Sequence, residues 1–581
     1  MRTSYGNFEN LTVESHLNLP LSPTVSTRFS GTYRNQSDGP FYNRFLDRNQ
    51  GEVDKYGWRA QLNISPSETF DVNLNVHGGR EDSDLYHYSA AVTGNGAGGF
   101  CAPYFAGPLR GNDPGCVGFL GETEPDTDPF TTGAGQLPVL EIDSVGAVLR
   151  VNWETPVGTL TSVSGAESLD RFIAEDADGF PQQIVDDYFE NDIEQYSQEV
   201  RLASSPDAGP LSWLVGLYWS SDELVVPRHE AKSFFARNLG VNSIYDQNGR
   251  SKAAFAHTEY RLSDAVRFNA GLRYTQETRE WRGGSWLTTG DPNPNTSPTI
   301  NVTQLAQRSE SKDFSATSGK LGIDYFVNED FLLYAFAAKG FRSGGFNGNL
   351  AFASAAITSF DQETLYDYEI GAKTSWLDGR LIWNSGVFYY DYQDVQLIGN
   401  FEIVGPGGLP ANLFTLSNLA DAEVKGVETE LWARPTDRLD IRLAVGWLDA
   451  KLVNPRPGNE TLDHHKMANS PPLTLSGSIR YTQPVTSRLQ ASAQLDVAHK
   501  DDYFANISNL PVVAIDESTV VNARVGLGDA PEGKWELALW AKNLFDEEYA
   551  TYAVDLASTR RTLRTFGYPR TYGIEFNYRW D

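Results

Sequence analysis

Residues 572–581 read Tyr572-Gly573-Ile574-Glu575-Phe576-Asn577-Tyr578-Arg579-Trp580-Asp581, apolar and polar side chains alternating without a break. Most of the apolar partners are aromatic. A strand of this period places one side in an apolar medium and the other in water. When such a strand closes a chain that holds many similar ones, a transmembrane β-barrel accounts for the pattern, with aromatic girdles facing lipid and a polar lumen.

The same alternation recurs along the chain. Val25, Thr27, Phe29, Gly31 and Tyr33 interleave with Ser26, Arg28, Ser30, Thr32 and Arg34, and Phe70, Val72, Leu74 and Val76 with Asp71, Asn73, Asn75 and His77. Leu489, Ala491, Ala493, Leu495 and Val497 alternate likewise with Gln490, Ser492, Gln494 and Asp496. Strong turn formers connect these runs on one side, among them Pro20–Pro23, Ser65–Glu68, Glu154–Pro156, Val327–Asp330, Leu377–Gly379, Pro435–Arg438 and Ala530–Gly533. On the other side lie longer polar connections, at about 81–141, 174–192, 223–249, 279–312, 343–362, 394–419, 451–470, 501–517 and 546–567. Short turns opposite long loops are the asymmetry of an outer-membrane barrel, turns periplasmic and loops extracellular. Each short turn joins a descending strand to an ascending one, so residues 8–19 descend and only Met1–Tyr5 remains to supply the ascending strand before them. The count is twenty-one full strands and that stub, an all-β, 22-stranded antiparallel transmembrane barrel with a truncated first strand.

Composition fits this reading. The 581 residues have a mean hydropathy of -0.40, a net charge of -29, 12% aromatic residues and 52 Gly. The longest apolar run, Phe331–Ala338, falls far short of the roughly 20 residues a membrane helix needs, whereas a tilted strand needs only about 9 to 11 alternating ones. A closed barrel pairs every backbone amide internally without any long apolar run. The acidic excess argues against nucleic acid as a partner, because phosphate binding needs clustered Lys and Arg. A soluble propeller is disfavoured by the lack of a blade-length repeat. The two cysteines, Cys101 and Cys116, share one Gly/Pro/Asp-rich stretch and read as a loop disulfide of an oxidising compartment, two unpaired thiols being the alternative.

Several segments together carry a family likeness: Leu333–Phe346 with its Lys-Gly-Phe-Arg turn, Tyr368–Lys373, Gly426–Glu430, Asn543–Tyr549 and the closing aromatic strand. In order and spacing the chain resembles the barrel of a TonB-dependent outer-membrane receptor over essentially its entire length. That resemblance implies a 22-stranded barrel filled by an N-terminal plug, which binds ligand at its outer face and carries a short box pulled by an inner-membrane energy-transducing protein. Residues 1–581 correspond to the barrel domain alone. The first thirty residues hold no apolar core behind a basic start, so no signal peptide is read, and no plug or coupling box precedes the barrel. The expectation is a sequence that begins inside a longer gene. Asp581 follows Trp580 where the family ends on the aromatic itself.

No enzyme motif is found: there is no Gly-x-Ser-x-Gly elbow, His-Glu-x-x-His helix, Walker loop or Cys-x-x-Cys pair. Neither a catalytic residue nor a resident cofactor or metal is expected. His464 and His465 beside Asp463, and the acidic run Glu122-Thr123-Glu124-Pro125-Asp126-Thr127-Asp128, read as solvated loops in preference to metal or calcium ligands. Arg28, Arg34 and Arg150 face the lumen. Three function classes follow. The first is the outer-membrane barrel of a receptor for energised uptake of a scarce nutrient, a ferric siderophore above all, then a vitamin, haem or glycan; the haem-receptor loop pattern is not read after Phe341-Arg342-Ser343-Gly344. The others are a plugless passive pore and a surface attachment or phage-docking protein. The partners expected are outer-membrane lipid, the nutrient ligand and the inner-membrane energy transducer through the plug, with the barrel monomeric.

Overall fold

Strands that alternate in this way must be paired along both edges wherever they cross hydrocarbon, because no water is present to satisfy a free amide. A computed structural model describes residues 1–580 except 86, 182–184, 206–208, 234–238, 290–299, 349, 405–409 and 531–532. Apart from residues 15–22, it meets that requirement with one 22-stranded sheet of antiparallel neighbours. The first strand, Arg2–Gly6, pairs with Asn10–Ser22 on one edge and with the last strand, Thr571–Tyr578, on the other, so the sheet closes on itself. The ladder between the first two strands stops at Glu14, so residues 15–22 are paired on one edge only. Residue 581 and the centre of the 530–533 turn lie outside the described residues.

The closing strand shows how the alternation is used. Tyr572, Ile574, Phe576 and Tyr578 are 56%, 44%, 42% and 41% exposed and face outward, whereas Glu575 between them is 5% exposed and faces the lumen. The alternations read from residues 25, 70 and 489 onward behave alike. Phe29 and Leu495 point outward, while Arg28, Asp71, Asn73, Gln490 and Gln494 share the inner face with Arg150, which bonds Asn152.

Three of the long connections need correcting. The strands Leu211–Ser233 and Leu239–Arg261 run through most of 223–249, Val266–Thr289 and Ile300–Asn328 through much of 279–312, and Leu381–Val404 and Pro410–Thr436 through most of 394–419. The centres of these connections, 234–238, 290–299 and 405–409, are outside the described residues. Loss of the apolar alternation marks where a strand leaves lipid, and cross-strand hydrogen bonds carry on in water beyond that point. Even Pro227 is accommodated, by a register shift between Val226 and His229.

The seam between the first and last strands is held from the lumen. Glu575 accepts from Arg2 Nη2 at 2.6 Å and from Arg524 Nη2 at 3.0 Å, and Arg524 also bonds Glu536 at 2.7 Å. Trp540 Nε1 donates to Ser4 Oγ at 2.9 Å. Its ring lies over Gly6 and Gly573, which face each other across the seam; a Cβ on Gly573 would sit 2.3 Å from Tyr5 O and 2.6 Å from the Trp540 ring.

Gly573→Val should therefore destabilise the barrel by about 1–3 kcal/mol through overpacking. The check is the urea midpoint of the heat-modifiable band, with Gly31→Val, where a Cβ meets nothing closer than 3.9 Å, leaving that midpoint near the parent's.

Candidate functional site

The extracellular connections are folded. Residues 84–138, 177–185, 501–517 and 543–570 build one apolar core from Ala90, Val92, Cys101, Tyr104, Phe180, Val512, Val513, Ile515 and Leu563. The strand Ser89–Val92 pairs with Arg561–Phe566, which pairs in turn with Ala550–Leu556, so a three-stranded sheet joins the loop after Phe70–Ser83 to the loop before the last barrel strand. These two loops arise on opposite sides of the seam. Cys101 and Cys116, joined by a disulfide, belong to the same core. The result is a lid on the extracellular face. Smaller clusters flank it: Tyr245 and Trp281 stack with Phe346 and Ile357 nearby, and Leu397, Leu419 and Leu452 gather around Ile507.

The lid buries charge as well as apolar surface. The Arg561 side chain is fully buried, bonds Glu122 Oε1 and lies over the Phe180 ring at 4.4 Å. Burial lowers its pKa against the pull of Asp178, Glu122 and Asp176. Arg564 is held down to about 10 by burial, with its Nη2 donating to Ala514 O at 2.5 Å, and it stays charged at neutral pH. Tyr104 donates its hydroxyl to Asp555 at 2.7 Å. Asp176, Asp178 and Asp186 form a buried group, in which Asp176 accepts from the backbone of Gly135 at 2.6 Å and Gly179 at 2.7 Å and Asp178 from Val185 at 2.8 Å. These carboxylates hold the backbone of Gly179, Phe180 and Val185, and Arg561 lies close enough to feel the charge of Asp178 and Asp176. Few such pairs arise by chance in a surface loop, because an unpaired buried charge costs several kcal/mol.

The acidic run 122–128 is solvated only in part: Glu122 pairs with Arg561, the 5%-exposed Glu124 pairs with Arg44 Nη2 at 2.7 Å, and Asp126 accepts from Thr131 at 2.6 Å, while Thr123, Pro125, Thr127 and Asp128 are exposed. Arg561 and Arg44 take up the carboxylates of Glu122, Glu124 and Asp126, and Asp128 accepts from the backbone of Phe130. His464 is 71% exposed beside Asp463, whereas His465 Nδ1 faces Ile507 O at 2.8 Å, so the pair does not converge on one point. Arg28 and Arg34 lie on the lumen wall and bond Ser30 and Gln36 locally. Below the lid the wall carries a recess of about 400 Å³ lined by Arg267, Lys320, Asp324, Tyr334, Glu369 and Lys373, in which Lys320 Nζ lies 3.4 Å from the Phe336 ring centre. Sequence reasoning missed Arg561, Arg564, Tyr104 and Asp555. The signal available was the apolar run Val512-Val513-Ala514-Ile515 inside a supposed loop, a run that needs a core to enter.

Two predictions follow from the lid. Arg561→Met removes the buried ion pair with Glu122 and should loosen the lid by about 3–5 kcal/mol, seen as faster amide exchange in 84–138 and 543–570 with barrel-strand exchange unchanged. The second concerns His87, buried and stacked on Phe41 at 4.4 Å, whose pKa burial lowers to about 4 from its ordinary 6.5. The neutral ring contributes stability fully present above the unfolded pKa and lost as pH falls from about 6.5 toward 4, in total about 3 kcal/mol. The protection factors of residues 84–138, taken relative to the intrinsic exchange rate at each pH, should fall between pH 7 and about 5, and His87→Phe should remove that fall.

Comparison with known proteins places this architecture. The sequence model of the TonB dependent receptor-like β-barrel matches residues 2–544. The pesticin receptor of Yersinia pestis is 22% identical over 395 residues, 65% of this chain and 50% of that protein, and the pesticin receptor of Yersinia enterocolitica is 23% identical over 397 residues with the same shares. The chain thus spans about half the length of the curated relatives it matches. Among solved structures, the ferric yersiniabactin uptake receptor FyuA of Yersinia pestis superposes with a TM-score of 0.74 at 16% identity, covering 100% of this chain and 79% of that one. The siderophore receptor PiuA of Acinetobacter baumannii gives 0.73 at 14% identity, over 100% of this chain and 81% of the other.

Proposed function

Because the chain belongs to the TonB-dependent receptor β-barrel family, we propose that it is the barrel domain of a receptor for energised uptake of a ferric siderophore. The family is one of transport receptors of the Gram-negative outer membrane, and this barrel is a member of that membrane's proteins. The observation that carries the reading is the lid: four extracellular loops share one core, which suits a gated receptor and not an open diffusion pore. Pesticin and ferric yersiniabactin are the names attached to the relatives, and a ferric siderophore is the ligand class that extends them to this chain. Outward aromatics such as Tyr572, Phe576 and Tyr578 meet outer-membrane lipid. An inner-membrane energy transducer supplies the force through a plug domain, with the barrel acting as a monomer. The disulfide between Cys101 and Cys116 limits the freedom of the longest loop and adds roughly 3 kcal/mol in the chain-entropy model. A passive pore is not favoured.

Deleting the gene should abolish growth under iron restriction on at least one ferric siderophore from a panel of hydroxamates, catecholates and mixed chelators, with growth on inorganic iron unchanged. Unaltered growth on every ferric siderophore, together with lost uptake of an iron-free nutrient, would contradict the reading.

A further inference from the structure

We propose that His499, Asp501 and Glu517 form a binding site for a divalent transition-metal ion at the base of the extracellular loop 501–517. The strands Leu489–Lys500 and Ser518–Asp529 end in register, His499 opposite Thr519 and Lys500 opposite Ser518. Asp501 and Glu517, the next residue on each side, consequently face one another across the neck of the loop. One ligand atom from each of the three side chains lies within 4.8 Å of the other two. His499 shares the outward face of Leu495 and Val497, above the apolar band.

The arrangement around the imidazole favours a metal. His499 Nδ1 is 2.8 Å from Thr519 Oγ1, and Nε2 is 3.2 Å from Asp501 Oδ1. A hydroxyl partner on Nδ1 orients the ring in the way that outer partners orient metal-bound histidines, leaving Nε2 turned toward the carboxylates. In the tautomer whose Nδ1–H donates to Thr519, the Nε2 lone pair points at Asp501 Oδ1, a repulsive contact that a cation between them converts into a favourable one. The charge is also uncompensated: Glu517 makes no hydrogen bond or ion pair among the described residues, and His499 is the only ion-pair partner Asp501 has there. One imidazole with two carboxylates suits zinc, cobalt, nickel or copper, whereas calcium and magnesium take oxygen ligands throughout. Side-chain exposures of 25% for His499 and 33% for Asp501 leave room for water to complete the coordination.

The site would act as a staple. The two ends of the loop meet at the metal, and its middle supplies Val512, Val513 and Ile515 to the lid core and Ile507 to the neighbouring cluster. Metal binding would therefore order one of the four segments from which the lid is built.

Cobalt titration of the whole protein in detergent micelles, read by visible ligand-field absorption, tests the proposal directly. One equivalent of Co2+ should bind and be displaced by Zn2+. His499→Gln should abolish the band, Glu517→Gln should weaken binding by roughly tenfold or more, and His464→Gln should leave it unchanged. Zn2+ should also slow amide exchange in 501–517. Glu517 is an exposed side chain, so its variant decides the matter should His499→Gln lose the heat-modifiable fold. Absence of saturable binding, undiminished binding by Glu517→Gln, or loss of the band on changing His464 would overturn the proposal.

Discussion

A backbone amide has no partner in hydrocarbon other than another backbone group, and that single constraint organises this molecule. It requires a sheet without edges, hence the pairing of Arg2–Gly6 with Thr571–Tyr578. It also fixes the side-chain code, because a strand paired on both edges presents one residue to lipid and the next to the lumen. Glu575 shows the consequence at one position: flanked in sequence by outward Ile574 and Phe576, it turns inward and gathers Arg2 and Arg524 behind the seam. The lumen ion pairs are tolerated because that space is wet, while the same charges one residue along the strand would meet acyl chains.

Above the membrane the constraint is relaxed, and the chain uses its freedom in two ways. Some strand pairs simply continue, as Leu211–Ser233 and Leu239–Arg261 do. Other connections abandon the barrel register and fold on one another. The lid formed in this way depends on contacts between remote parts of the chain: Tyr104 with Asp555 at a separation of 451 residues, and Arg561 with Glu122 at 439. Buried charge makes those contacts selective, since Arg561 is stable only where Glu122 and the Asp176 group are brought to it.

Legibility in the sequence divides along the same line. The barrel was readable, down to the strand count and the inward placement of Arg28, Asp71 and Gln494, because period-two alternation is local and every strand carries it. The stub was readable from turn parity as Met1–Tyr5, ending one residue short of the observed Arg2–Gly6. The lid was not, because Arg564 reaching Ala514 O, or Ser89–Val92 pairing with Arg561–Phe566, leaves no mark at either place alone. The run 122–128 misled for a related reason: clustered carboxylates look solvated until the arginines that neutralise them are located, and those lie at positions 44 and 561. The strands Leu381–Val404 and Pro410–Thr436 reach well into the connection 394–419 expected from the sequence, because polarity marks where a strand leaves lipid and not where it ends.

The account stands most directly on loops from both sides of the seam being joined above the barrel, and that is measurable in the outer membrane of intact cells. Ala91 and Thr562 face each other in the lid sheet, 3% and 0% exposed. With both replaced by cysteine, mild oxidation should link 84–138 to 543–570 in nearly every molecule, seen by mass spectrometry as a single cross-linked peptide, and uptake through the receptor should fall. Two cysteines that remain free and react readily with a membrane-impermeant thiol reagent would show the loops standing apart, and would contradict it.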